Sequence, residues 1–265
     1  MPLAERISIK VIFCVFCVLA AVTVVSAEVS SSFWQTEKSQ HFVVYYQASR
    51  PEYISELSSK AEGYYNSIID DLGFRRFDFW SWDNRAKIYL YENAEDFQRE
   101  TERTSWSGAV VYVANRTIKT FVGQDGFFDS ILPHELTHII FREFVGQKVI
   151  LPLWIDEGVA SSQEKSYLSA RLKIAKKLIA QNEYIKLDKF SAISNPDLVQ
   201  PHLFYAQAAS LVVFLIRGQG RERFQDFCRK VRDGADWQAA LFSTYRFSNF
   251  EEFEQAWKEF IAKQV

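Results

Sequence analysis

The chain has 265 residues, with 48% hydrophobic and 16% aromatic side chains and a formal net charge of −2. This composition supplies enough apolar surface for a buried core and excludes an intrinsically disordered chain. The near-neutral charge, without a clustered basic stripe, gives no reason to expect a nucleic-acid partner.

The N-terminal segment differs from the rest of the chain. Arg6 and Lys10 precede a charge-free run of 15 residues (11–25), and small residues end the segment at Ala27. This pattern is typical of a secretory signal peptide, and the run is shorter than the roughly 20 residues of a membrane-spanning helix. We therefore predict a signal peptide at 1–27 and an exported, periplasmic or secreted protein without stable membrane insertion after cleavage. An uncleaved N-terminal anchor is the alternative.

The first half of the mature chain has the pattern of strands with helices between them. Pro51 opens a run whose apolar residues recur at spacings of three and four until Gly73, which is typical of an amphipathic helix with a glycine stop. Further on, two β-prone runs flank a short polar turn and predict a hairpin. The predicted elements are strands at 41–47 and 86–91, helices at 51–72 and 93–101 (the second capped by Asn93), an aromatic loop at 74–84, and the hairpin at 108–123.

The second half of the chain is predicted to be almost entirely helical. A helix begins at Asp129 or Ser130, carries Pro133 near its first turn and ends near Gly146. Further helices are predicted at 155–163, 166–180, 204–216, 221–231 and 250–263. We therefore predict an α+β fold, with a mixed sheet and an edge-strand hairpin in residues 28–128 and a helical part in residues 129–265.

The segment HELTH, residues 134–138, contains two of the four histidines of the chain. Positions four apart on a helix differ by about 40° around the axis, so His134 and His138 can converge on one tetrahedral ion. Glu135 lies about 100° round from His134, beside the open coordination position, where a carboxylate can take a proton from metal-activated water. The alternative is an ordinary apolar helix with two imidazoles, but burying these groups without partners is costly. The segment therefore predicts a zinc site.

A zinc site of this kind needs a third protein ligand, and Asp156, Glu157 and Glu164 follow in the sequence. Exactly 18 residues separate Glu157 from His138, and Glu157 lies within WIDEGVA. HELTH, this gap and a W-x-x-E-G-x-A segment resemble the gluzincin metallopeptidases, and among them the short secreted peptidase MA-like domains. The resemblance implies a thermolysin-like architecture with the site in a cleft between the two halves. It also implies one zinc ion bound by His134, His138 and Glu157, with Glu135 as the general base.

The chain departs from the aminopeptidases of this group in one respect. Their G-x-M-E-N segment binds the free amine of the substrate, whereas SGAVVYVAN here contains no acid and the single methionine is Met1. We therefore expect cleavage within a polypeptide. An edge strand at 110–113 or 117–122 could pair with an extended peptide, although a purely structural hairpin is an equal alternative.

Stabilisation of the oxyanion requires a further group. Tyr205 resembles the tyrosine that gluzincins place ahead of an apolar helix, and His202 is a second candidate. Asp156 and Glu164 are candidates for orienting the zinc-binding histidines, with a helix-start charge as the alternative for Asp156.

The residues together predict an exported zinc metallopeptidase, with an endopeptidase favoured. One alternative is a non-catalytic binding or assembly protein on a peptidase scaffold with structural zinc. Another is a zinc hydrolase that acts on a non-peptide amide.

Overall fold

A mixed sheet of five strands forms the N-terminal part of the computed structural model, which describes residues 34–74, 80–102 and 108–264. The strands are β1 (Gln35–Lys38), β2 (Phe42–Tyr46), β3 (Ala86–Tyr91), β4 (Ala109–Tyr112) and β5 (Thr117–Phe121), in the order β1-β2-β3-β5-β4. The central pairs β2–β3 and β3–β5 are parallel, whereas β1 and β4 run antiparallel to their neighbours. The predicted signal peptide and residues 75–79 of the predicted aromatic loop lie outside the described residues.

Helices make up most of the chain after the sheet. Two further helices connect strands of the sheet: α1 (Pro51–Leu72) lies between β2 and β3, and α2 (Ala94–Thr101) lies between β3 and β4. The later helices are α3 (Leu132–Val145), α4 (Leu153–Gln163), α5 (Lys165–Gln181), α6 (Leu187–Phe190), α7 (Pro201–Val213), α8 (Arg221–Arg232), α9 (Trp237–Tyr245) and α10 (Phe250–Ala262). The predicted α+β fold with a mixed sheet and a helical C-terminal half is confirmed.

The differences from the predicted elements have local causes. Strand β1 was not predicted, because its four residues are all exposed and polar and so show no alternation. Helix α9 was also missed, since its apolar residues do not concentrate on one face. The helix predicted from Asp129 is preceded by a π-helical turn, Phe127–Ile131, that leads directly into α3. In the described part of the chain, we find no helix with the length and apolar content needed to cross a membrane.

Helix α3 lies at the centre of the molecule and thereby fixes the position of the two histidines. It packs against α1 on the sheet side and against α4 and α8 in the helical half. Its apolar residues, among them Leu136, Ile139 and Ile140, are fully buried. Because the helix is held on several sides, its remaining polar face has a defined direction. The described residues from Trp34 onward pack as one compact unit.

Candidate metal centre

His134 and His138 project side by side from the first two turns of α3. Their Nε2 atoms are 3.1 Å apart, and the two rings meet edge to face with centroids 4.8 Å apart. Thr137 lies between them in sequence but points into the core, where its hydroxyl donates to the carbonyl oxygen of Pro133. The helix therefore directs both ring nitrogens to one point, as the spacing of four residues predicts.

Glu157 reaches the same point from α4. Its Oε2 lies 3.4 Å from His134 Nε2 and 3.8 Å from His138 Nε2. The start of α4 is anchored by Trp154, which is fully buried and whose indole N–H donates to Ser191 Oγ. One residue after Glu157, Gly158 packs against the backbone of Ala208 on α7. These contacts leave α4 little freedom to move the carboxylate away from the histidines.

The three atoms fit a tetrahedral zinc ion. A tetrahedron with zinc–ligand bonds of about 2.0–2.1 Å has edges of roughly 3.4 Å, close to the three separations in this structure. A search of the described His, Cys, Asp and Glu residues for groups of at least three with ligand atoms within 4.8 Å of one another gives His134, His138 and Glu157. Their side chains are 17%, 14% and 17% exposed, so the point where they meet is partly open. Three ligands and an open position are typical of catalytic rather than structural zinc sites.

The second ring nitrogen of His134 is bound by Glu164, at the junction between α4 and α5. His134 Nδ1 lies 2.9 Å from Glu164 Oε1. If Nδ1 carries the proton and donates it to this carboxylate, Nε2 keeps its lone pair free for a metal. Ser130 Oγ donates to Glu164 at 2.8 Å, and Arg171 donates to both carboxylate oxygens at 2.8 and 2.7 Å. Neither Arg171 nor Ser130 was predicted from the sequence as a site residue, although Arg171 follows Glu164 by two helical turns.

The charges around the centre change its pKa values. Burial by itself would raise the pKa of Glu164, but the hydrogen bonds with His134 and the charge of Arg171 lower it to about 2. Burial would lower the pKa of His134, but its contacts with Glu157 and Glu164 raise it to about 10. Burial and the charge of His134 lower the pKa of His138 to about 4. A positive charge is therefore stabilised where the ligand atoms of His134, His138 and Glu157 meet, and this favours the binding of a cation.

Glu135 lies beside the three ligand atoms without joining them. It forms no hydrogen bond with another residue of the described ranges, so its carboxylate is available for a substrate or water. Burial is the main cause that raises its pKa, and the charges of Glu157 and Glu164 add to this effect. A raised pKa moves a carboxylate towards the range in which it exchanges protons near neutral pH.

Tyr205 lies next to the centre, in the first turns of α7. Its ring centroid is 6.4 Å from that of His134, and the guanidinium of Arg171 lies 5.4 Å from the centre of its ring. Burial and the charge of Glu157 raise its pKa to about 12. The hydroxyl therefore stays protonated at neutral pH and can donate a hydrogen bond.

Two other predicted candidates lie differently. Asp156 forms an ion pair with Arg142, and Arg142 also donates to the carbonyl oxygen of Val149. No hydrogen bond or ion pair joins Asp156 to His134 or His138 in the described structure. This ion pair links α3 to the start of α4, and a role of Asp156 in orienting a histidine ring stays a prediction. His202 is exposed at the start of α7, one turn before Tyr205, and its oxyanion role stays a prediction.

Comparison with known proteins gives two matches of different extent. A stretch of 74 residues is 34% identical to cofilin-5 of Dictyostelium discoideum, and it covers 28% of this chain and 61% of that protein. The chain thus spans less than two thirds of this relative. The profile of the Peptidase MA superfamily matches residues 81–263, which include every residue of the metal centre described above. Because this match covers more than half of the chain, the protein belongs to the peptidase MA superfamily.

Proposed function

We propose that this protein is an exported zinc metallopeptidase of the gluzincin type, with a thermolysin-like arrangement, that cleaves within polypeptides. Membership of the peptidase superfamily supports proteolysis in general. The observation that carries the proposal is the convergence of ligand atoms from His134, His138 and Glu157. The charge-free run at 11–25, after two basic residues, supports export to the periplasm or the exterior.

Zinc is the metal that this donor set favours. Two imidazole nitrogens and one carboxylate oxygen form the set found in catalytic zinc sites, whereas magnesium and calcium favour sites built from oxygen ligands. When bound, zinc supplies an activated water and polarises the carbonyl group of the scissile bond.

The residues around the metal have separate tasks in peptide hydrolysis. Glu135 removes a proton from the attacking water and later delivers it to the leaving amine. Tyr205, protonated at neutral pH, donates a hydrogen bond to the oxygen that becomes negative. Glu164 holds the ring of His134 in one orientation and tautomer.

The position of β4 supports a polypeptide substrate. In the described sheet this strand pairs with β5 on one side only, and it lies next to α3. Its other edge can therefore add an extended peptide through main-chain hydrogen bonds, close to the helix that carries the histidines. The absence of a G-x-M-E-N segment favours cleavage away from a free N-terminus.

Zinc content and activity test this function together. We expect purified protein to carry one zinc ion, Glu157→Ala to lose it, and the exposed Glu183→Ala to keep it. Glu135→Gln should retain zinc but lose chelator-sensitive cleavage of a peptide library by at least about a hundredfold, the usual lower range for an acid–base group. Cleavage of peptides with both termini blocked would identify an endopeptidase.

Two results would contradict the proposal. A folded protein that cannot take up zinc would rule out the metal centre as described. A zinc-loaded protein whose Glu135→Gln variant cleaves peptides as fast as the wild type would rule out the role of Glu135. Zinc without cleavage of peptides would favour a binding protein on a peptidase scaffold or a hydrolase of another amide.

A further inference from the structure

The sheet has a second face, directed away from α1 and α3, with an unusual composition. The strand register places two adjacent rows of five residues on this face, one through Tyr45, Tyr89 and Lys119 and the other through Lys38, Lys87 and Tyr112. These ten positions include three lysines and three tyrosines but no aspartate or glutamate. We call the six named residues the basic aromatic face. It is positively charged on a chain whose net charge is −2.

The lysines of the basic aromatic face are not neutralised locally. Within the described ranges, none of the three forms an ion pair with a carboxylate. The ammonium of Lys119 instead lies 5.9 Å from the ring centre of Tyr89 and 5.7 Å from that of Tyr112. Of the described helices, α2 covers one end of this side of the sheet, where Phe97 packs against Tyr91. Apart from Val110 and Thr117, which are buried, the ten positions carry half-buried or exposed side chains.

The orientation of the tyrosine rings limits what can bind there. Tyr45 and Tyr89 stack on each other with centroids 4.6 Å apart and planes within 8°, and Lys119 lies over Tyr89. Because Tyr45 and Tyr89 cover one face of each other and Lys119 lies over Tyr89, these rings offer little free surface for stacking on nucleobases, which single-stranded nucleic acids require. The groups that remain for a ligand are ammonium and hydroxyl donors spread over the sheet surface.

A broad array of donors suits the headgroup layer of a membrane. Tyrosine and tryptophan are enriched at membrane–water interfaces, and lysines are attracted to anionic lipids. Trp34 lies at the edge of the same face, where its ring contacts Tyr89 and Tyr91. In the uncleaved chain, Trp34 also lies only eight intervening residues after the charge-free run 11–25. We propose that the basic aromatic face lies against an anionic membrane surface. This inference does not depend on peptidase activity.

Vesicle sedimentation of the full chain tests the inference. The measured quantity is the ratio of binding to vesicles of phosphatidylcholine with phosphatidylglycerol and to vesicles of phosphatidylcholine alone. Because the apolar N-terminal run can bind both kinds, the ratio isolates the electrostatic part. We expect the triple variant K38Q/K87Q/K119Q to lower this ratio by about a hundredfold, at about fivefold for each lysine near the surface.

Two matched variants control for charge and folding. K173Q/K177Q/K189Q removes the same charge from exposed positions on other helices, and its ratio should equal that of the wild type. K38R/K87R/K119R keeps the charge and should keep the ratio, whereas damage to the sheet would lower it. Circular dichroism establishes that each variant is folded.

Three results would overturn the inference. The first is a ratio that K38Q/K87Q/K119Q leaves unchanged. The second is an equal loss in K173Q/K177Q/K189Q, which would indicate a response to net charge alone. The third is strong binding to soluble dextran sulfate without preference for anionic vesicles, which would indicate a soluble polyanion as the partner.

Discussion

The carboxylate of Glu164 joins three elements at the metal centre. It contacts His134 on α3, Arg171 on α5, and Ser130 in the turn before α3, and it is only 3% exposed. Its charge is retained in the interior because these partners lower its pKa to about 2. It would therefore act on a bound metal through the ring of His134 rather than as a ligand.

We expect Glu164→Gln to weaken zinc affinity by about 10- to 100-fold, the usual effect of removing a carboxylate that supports a histidine ligand. Competition with a chromophoric chelator measures this change. Glu143→Gln is the matched control, because Glu143 is an α3 carboxylate that binds Arg116 and the indole N–H of Trp80 but no histidine. An equal loss of affinity in both variants would show that the effect is general destabilisation.

Glu62 forms a separate cluster at the start of the sheet, and it predicts a pH dependence of stability. Its carboxylate accepts hydrogen bonds from Ser39 Oγ at 2.6 Å and from the backbone N–H of His41 at 2.7 Å, and it lies 2.6 Å from His41 Nδ1. Burial raises its pKa, but these bonds outweigh burial and hold the pKa below its ordinary value of 4.5. A lowered pKa in the folded state means that the carboxylate adds stability above pH 4.5.

Urea unfolding of the wild type and Glu62→Gln over a pH series measures this contribution. We expect the wild type to be more stable at pH 7. The difference in the free energy of unfolding between the two proteins should shrink as the pH falls below about 4.5 and through the lowered pKa of Glu62 in the folded state. A difference that stays constant over the acid range would contradict the assigned cause.

At the scale of elements, the packing of α4 on α7 holds Glu157 in place. A Cβ atom at Gly158 would lie 2.5 Å from the carbonyl oxygen of Ala208 and 2.7 Å from Val212 Cγ2. The glycine is therefore required for the close approach of the two helices, one residue after a metal ligand. The close packing of α4 on α7 thus explains why a glycine follows the glutamate in the W-x-x-E-G-x-A segment.

Gly158→Ala should destabilise the protein by about 1–3 kcal/mol, as overpacking does in other cores, and should also weaken zinc binding. Gly63→Ala is a matched control in the interior of α1, where no atom beyond the adjoining residues and backbone of the same helix lies within 4 Å of the added methyl group. That variant should gain up to about 1 kcal/mol from helix propensity and leave zinc affinity unchanged. Denaturant unfolding and zinc titration of both variants measure the two effects.

The sequence predicted those features of the fold and the site that follow from the regular spacing of residues within one helix or strand. The spacing of His134 and His138 on one helix predicts their convergence, because helical geometry is regular. By contrast, β1 is paired through its backbone, and its exposed side chains show no alternation. The pairing of Asp156 with Arg142 also depends on how the connection between α3 and α4 folds back, which local spacing does not define.

At the scale of the whole molecule, the metal should stabilise the fold. His134, His138 and Glu157 join α3 to α4, so an ion that binds the folded state alone shifts unfolding to higher temperature. We expect chelation to lower the Tm, and added zinc at about 1,000 times its Kd to restore about 4 kcal/mol. Differential scanning calorimetry measures the shift, and Glu157→Ala should have a Tm that chelator no longer changes. A chelator effect of the same size in that variant would contradict this prediction.

The short distance along the chain between His134 and Glu164 has a consequence for how the protein folds. All three proposed ligands and the supporting carboxylate lie within two consecutive helices and the residue that follows them, and Asp156 and Arg142 link the same helices. Bringing His134 to Glu157 closes a loop of 23 residues, whereas the pairs Ile88–Ile118 and Val44–Ile88 close loops of 30 and 44 residues. The loop of the metal centre is therefore the shortest of the three, although its advantage in closure entropy is small. In the zinc protein proposed here, the helical pair can bind its ion before the sheet is complete, and the rate of folding should then depend on the availability of zinc.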